Sequence, residues 1–97
     1  MKDIRYEELF DIYGSLLTEN QKSIFEAYYS FDLSLSEIAE EKGVTRQSVN
    51  DSLKKTRKEL DELEEKLGFF EKTAKIREFA ETLPEDQKEK LTNILEK

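Results

Sequence analysis

Apolar side chains recur along this chain at steps of three and four residues, the spacing of one face of an α-helix. Tyr6, Leu9, Phe10, Tyr13, Leu16 and Leu17 form the first such stripe. Thr18-Glu19-Asn20-Gln21 then has the Ser/Thr-x-x-Glu/Gln form of a capping box and predicts a helix start. The second helix carries Ile24, Phe25, Tyr28 and Phe31 on its buried side, with Asp32-Leu33 as its exit. Ser34-Leu35-Ser36-Glu37 repeats the capping-box form, and Gly43 is a natural left-handed C-terminal residue, so the third helix is short. Thr45 is the next N-cap, with Ser48 in the place usually held by Glu. No breaker follows between Arg46 and Gly68, which predicts a fourth helix of about twenty residues. Its seam is Val49, Leu53, Thr56, Leu60, Leu63 and Leu67, a heptad-type line able to face a partner helix as well as its own core. After Gly68 a fifth helix bears Phe69, Phe70, Ala74, Ile76, Phe79, Ala80 and Leu83. Pro84 suits the N1 position of a last helix with Leu91, Ile94 and Leu95.

No stretch offers the strict alternation of a strand, and only Val44 and Val49 represent valine. With 3 glycines and 1 proline, the expected fold is all-α, five to six helices in one domain spanning residues 1–97. A helix-turn-helix core is expected over about 18–67 and a C-terminal helical arm over about 69–97. Seven of the ten aromatic residues fall within positions 6–31 and none within 32–68, so the middle of the chain must pack through aliphatic side chains. Cysteine and histidine are both absent, which removes disulfides, thiol chemistry, zinc fingers and His-based catalysis together. No apolar run reaches the roughly 18 residues of a membrane span, and the N-terminus lacks a signal-peptide core, so a soluble cytoplasmic protein is the expectation.

Residues 34–58 carry the most information. A capped helix contains Ile38-Ala39, Gly43 follows four residues after the alanine, and Thr45 opens a new helix with Val49 and Leu53 on one face. A helix-turn-helix needs each of these. Ala39 lets the second helix cross closely, Gly43 supplies the positive φ of the turn, and Val44, Val49 and Leu53 pack the second helix on the first. The outward positions are then Arg46, Gln47, Asn50 and Asp51, followed by Lys54, Lys55, Arg57 and Lys58. Arg, Gln and Asn can read base edges in a major groove, while lysines suit phosphates. Residues 45–58 hold five basic side chains and one acidic, a local +4 in a chain of −7, which leaves −11 for the rest. The same fold also serves as a protein dock, so both readings stay open from the residues alone.

The run LSLSEIAEEKGVTRQSVNDSLKKTRKEL, preceded by LLTENQKSIFEAYY, resembles region 4 of bacterial sigma factors. It is closer still to the YlxM family of small helix-turn-helix proteins, through Leu9-Phe10-Asp11-Ile12-Tyr13-Gly14-Ser15-Leu16-Leu17 and through Gly43-Val44-Thr45-Arg46-Gln47-Ser48-Val49 read with Asn50-Asp51. The resemblance covers roughly residues 5–70. It implies an accessory or regulatory role in the signal recognition particle pathway, with DNA or the particle's RNA as target and the particle's protein as a further partner. The net charge of −7 departs from the basic surface usual in a free-standing repressor. An ordinary DNA-binding transcription regulator is the other nucleic-acid reading.

Carboxylate pairs such as Glu40-Glu41 and Glu64-Glu65 read as solvated faces in a chain that is 40 % charged, and no phosphate loop or cation-binding spacing is present. The expectation is therefore no catalysis, metal or cofactor. Tyr28-Tyr29 reads as core or interface before base stacking, and the acidic run Glu59, Asp61, Glu62, Glu64, Glu65 as the solvated back of the fourth helix. The heptad-type seam followed by two phenylalanines predicts a homodimer through Leu60, Leu63, Leu67, Phe69 and Phe70.

Overall fold

The computed structural model describes residues 2–96, and all regular structure in them is helical. Six α-helices follow one another: α1 (Ile4–Tyr13), α2 (Glu19–Tyr29), α3 (Leu35–Lys42), α4 (Arg46–Leu67), α5 (Phe69–Ala80) and α6 (Glu85–Leu95), with a 3-10 turn, Gly14–Leu16, between α1 and α2. The long helix α4 is the spine. Against it pack α1, α2 and α3, while α5 returns beside α1 and α6 folds back on α5.

Local chemistry sets the boundaries. Asp3 caps α1 by accepting from the Arg5 N–H at 2.9 Å. Both capping boxes form in full. The Thr18 hydroxyl accepts from the Gln21 N–H at 3.1 Å while the Gln21 side-chain carbonyl accepts from the Thr18 N–H at 3.0 Å, and Ser34 with Glu37 does the same at 3.1 and 3.0 Å. Gly43 and Gly68 end α3 and α4 at φ +67° and +66°, the left-handed region where a Cβ is costly. Pro84 stands at the N-cap of α6, one residue earlier than the N1 position expected for it.

Leu9, Tyr13, Ile24, Phe25, Ile38, Ala39, Val49, Leu53 and Leu60 form the core, where α4 meets the first three helices. Phe25 stacks between Phe10 and Tyr29, with ring centroids 4.3 and 4.2 Å away. The seam of α4 is therefore spent within its own chain. Val49, Leu53, Thr56 and Leu60 are all at most 1 % exposed, and Leu63 and Phe70 pack partly on the same core. This corrects the expectation that Leu60 lies in a homodimer interface. Of the five residues assigned to it, only Leu67 and Phe69 stand about half exposed.

Three other apolar positions lie outside the core they were expected to join. Leu16 is 64 % exposed because the 3-10 turn breaks the phase of the first stripe. Phe31 is 70 % exposed because α2 ends at Tyr29 and Phe31 falls in the loop beyond it. Val44 sits in the turn itself and is 44 % exposed. Beside Phe31, Asp32 adopts φ +56°, and the Lys2 ammonium pins it at 2.6 Å while also donating to the Tyr28 carbonyl. Aspartate tolerates this left-handed conformation better than most residues.

The α4–α5 junction is held by a long-range clamp. Glu64 accepts from the Tyr13 hydroxyl at 2.6 Å and from the N–H groups of Phe70 and Glu71 at 2.9 and 3.1 Å, while the Tyr13 hydroxyl accepts from the Phe69 N–H at 3.1 Å. Three of the unpaired N–H groups at the start of α5 are thus satisfied by two side chains. Desolvation pushes the Glu64 carboxyl up. The Tyr13 hydrogen bond, the two amides and the Arg5 charge outweigh it and hold the carboxyl below its ordinary value. Burial, and then the bond to Glu64, raise the Tyr13 phenol. A carboxyl depressed on folding contributes stability that is complete above its unfolded pKa, about 4.3, and is lost as pH falls through the folded value. Thermal melts between pH 6 and 3 should therefore show wild type losing its advantage over Glu64→Gln as acid is added. Parallel pH curves for the two proteins would disprove the coupling.

Candidate nucleic-acid interface

The α3–turn–α4 segment is built from backbone bonds that leave one side of α4 uncovered. At the end of α3 the Gly43 N–H donates to the Glu40 carbonyl at 3.3 Å and the Val44 N–H to the Ala39 carbonyl at 3.0 Å, the paired bonds of a Schellman motif. The Thr45 hydroxyl then caps α4 by accepting from the Ser48 N–H at 3.0 Å. Ala39, 6 % exposed, presents only a methyl group, and Val49 and Leu53 press into the core beside it. With those two residues fixed inward, Arg46, Gln47, Lys54, Lys55 and Lys58 are exposed and Asn50 is half-buried.

A helix turns by about 100° per residue, and that divides the seven expected contact residues. Arg46, Asn50 and Arg57 lie on one flank of α4, Gln47, Lys54 and Lys58 face away from the core, and Lys55 lies about 140° round the helix from Asn50. Two depressions mark the two flanks. Arg46, Gln47 and Asn50 line one together with Leu35 of α3. Lys55 lines the other with Thr18, Asn20, Gln21, Ser48 and Ser52, on the side of the 3-10 turn and α2. The N-terminal end of α4 and the start of α3 therefore form one continuous surface, and Lys55 borders it from the far side.

Arg57 departs from its expected place. It is half-buried and donates to the Tyr29 hydroxyl at 3.3 Å, so its guanidinium is held against α2. Gln47 donates to Asp51 at 2.8 Å, one turn further along α4, which orients its amide along the exposed face. Among the described residues, Arg46, Lys54, Lys55 and Lys58 make no ion pair, although Asp51 and Glu59 line the depression beside Lys55. The cations that are paired, Lys2, Arg5, Lys22, Lys75, Arg77 and Lys88, all lie on other elements. Leu35 had no place in the expected set. It reaches the surface as the first residue of α3, directly after the Ser34 cap.

Along α4 the sign of charge changes. Lys54, Lys55 and Lys58 occupy its first part, and Glu59, Glu62 and Glu65 the second. The acidic run expected to be solvated is so only in part. Asp61 accepts from the Tyr6 hydroxyl at 2.9 Å, Glu59 from the buried Gln21 amide at 3.0 Å, and Glu64 holds the α5 junction. The basic end is thus left as the part of the spine free to meet an anion. Tyr29 is buried and Tyr28 half-buried, with its ring edge against Tyr29. The described residues contain no cluster of acidic side chains able to hold a metal ion, and no helix among them is long and apolar enough to cross a membrane.

Comparison with known proteins gives a match over residues 1–97 to the family UPF0122, described as "Putative helix-turn-helix protein, YlxM / p13 like". A UPF0122 protein of Bacillus velezensis is 45 % identical over 102 residues, covering 98 % of this chain and 91 % of the relative. One of Halalkalibacterium halodurans is 48 % identical over 84 residues, covering 87 % and 77 %. One of Desulforamulus reducens is 56 % identical over 64 residues, covering 66 % and 55 %. Their names carry no activity, ligand or partner.

Proposed function

Because this chain belongs to the UPF0122 family of YlxM / p13-like helix-turn-helix proteins, we propose that it is a non-enzymatic regulatory protein that binds nucleic acid through α3 and α4. The observation that carries the reading is the exposed cluster of Arg46, Lys54, Lys55 and Lys58, free of ion pairs, on the first part of α4, set on a helix-turn-helix whose other face is locked into the core. In this reading α4 enters the groove. Arg46, Gln47 and Asn50 reach base edges from its first two turns, and Lys54 and Lys58 lie beside phosphates. Lys55 meets a neighbouring phosphate from the opposite flank, and Arg57 acts only by holding α4 on α2. Duplex DNA fits best, since its major groove, about 12 Å wide, admits a helix, whereas the A-form major groove of RNA is too deep and narrow.

The −11 carried by the rest of the chain opposes non-specific attraction, so the fit to a particular sequence has to supply much of the affinity. A place beside the signal recognition particle, as an accessory factor touching its RNA or its protein, rests on the family resemblance alone. Titration of the full chain with duplex DNA and with structured RNA at low salt tests the reading. Saturable binding to duplex DNA, weakening steeply with added salt, is expected. Flat titrations with both would overturn it and leave α3–α4 as a protein-docking surface.

A further inference from the structure

The chain exposes more surface than its mass explains. Its accessible area is 6989 Å², where a compact monomer of 11.5 kDa has about 5,800 Å². Its radius of gyration is 16.3 Å and its extents are 51 × 26 × 23 Å, against about 12.5 Å expected for a compact chain of this length. Elongation adds area, and part of the exposed surface is apolar. Of the eight large hydrophobic side chains left exposed, four belong to the arm and its junction: Leu67, Phe69, Phe79 and Ile94.

One of them, Phe79, lines a groove. Between α5 and α6 runs an open, mainly apolar trough with Gly68, Ile76, Phe79 and Leu91 in its walls and Glu71, Lys72 and Lys75 on its rim. Leu67 adjoins its Gly68 end and Ile94 lies one helical turn beyond Leu91, while the Phe69 ring stands 6.4 Å from that of Tyr13. Phe70 and Thr73, by contrast, face the α1 side of α5, where they line a separate depression with Ile12. The arm thus spends one face on α1 and leaves the opposite face bare.

We propose that this trough is the seat of a second copy of the same chain, so that two molecules pair through their α5–α6 hairpins. Three features favour a copy over a different occupant. The patch holds both the recess and the protruding side chains, as a two-fold interface requires, since each copy must give and receive the same surface. Its rim carries both signs, with Lys75 bridging Glu71 at 3.2 Å, so a reversed copy can exchange those partners. Residues 69–97 contain six basic and seven acidic side chains, whereas residues 1–68 contain ten and sixteen. Two copies therefore repel through their bodies and meet at little electrostatic cost through their arms. The pairing moves the homodimer expected from sequence away from the buried α4 seam, and it stands whether or not α4 binds nucleic acid.

Sedimentation equilibrium of the full chain tests it. At tens of micromolar the wild type should run at twice 11.5 kDa. Phe79→Glu and Ile94→Glu, at positions 62 % and 70 % exposed, should each raise the dissociation constant at least tenfold with the melting profile of the dissociated chain unchanged. Phe31→Glu, 70 % exposed in the loop beyond α2, should leave the dimer intact. If one arm variant fails to fold, the other still decides. A wild type that stays monomeric across this range overturns the proposal and leaves the trough to a different protein. So does a dimer that survives both arm substitutions at unchanged affinity.

Discussion

Gly43→Val is expected to lower the stability of the folded chain by about 1–3 kcal/mol, or roughly 5–20 °C of melting temperature for a domain of this size. The cause is conformational. Gly43 sits at φ +67°, and a Cβ built there meets nothing within 4 Å, so no clash adds to the cost. Valine is branched at Cβ and resists the left-handed region most, while asparagine visits it readily. Gly43→Asn should therefore lose much less than Gly43→Val, with Gly43→Ala between them. Equal losses for all three, measured by thermal melts, would show that the turn is not what sets the penalty. Ala39→Leu damages the same unit by a different route. Ala39 is 6 % exposed in the core where α3 packs on α4, so three added carbons must displace a neighbour, at about 1–3 kcal/mol.

Arg46→Ala and Asn50→Ala are each expected to weaken binding to the preferred duplex by about 1–3 kcal/mol, roughly five- to 150-fold, and to flatten the preference among sequences. Both side chains border the depression shared with Leu35. Lys54→Ala should behave differently. It removes a charge without removing a reader of bases, so all duplexes weaken alike and the slope of log K against log salt falls by about 0.9. Arg57→Ala should mainly cost stability, because its guanidinium already serves Tyr29. Fluorescence anisotropy at several salt concentrations separates these outcomes. If Arg46→Ala and Lys54→Ala gave the same uniform loss on every sequence, α4 would be a phosphate contact and not a recognition helix.

The parts of this architecture that the sequence declares are those whose chemistry is local. Thr18 with Gln21, and Ser34 with Glu37, announce helix starts because each pair closes within one turn, and Gly43 and Gly68 announce helix ends because so few residues accept φ near +67°. Exposure is less legible where the helical phase breaks. The stripe that contains Leu16 assumes that α1 continues, and the one that contains Phe31 assumes that α2 does. At the candidate site, the outward places of Arg46, Gln47 and Lys54 follow once Val49 and Leu53 point inward. The inward turn of Arg57 needs Tyr29, 28 positions away, and no spacing rule foretells it. The Tyr13–Glu64 clamp is hidden for the same reason, since its partners lie 51 residues apart.

Tyr13 and Glu64 also determine how the molecule comes apart. Among the described residues Ala80 is the only buried one on α5, and α6 has none, whereas α4 buries four. The arm therefore holds to the body through the Tyr13–Glu64 clamp, Phe70 at the edge of the core and a shallow contact with α1, and it can open while the core stays shut. In native-state hydrogen exchange, the amides of α5 and α6 should exchange through this local opening, far sooner than those around Leu53, which wait for global unfolding. Each molecule then carries two cooperative units in one chain. The outer unit gains its protection from whatever rests on it, so exchange rates in the arm report occupancy of the trough directly.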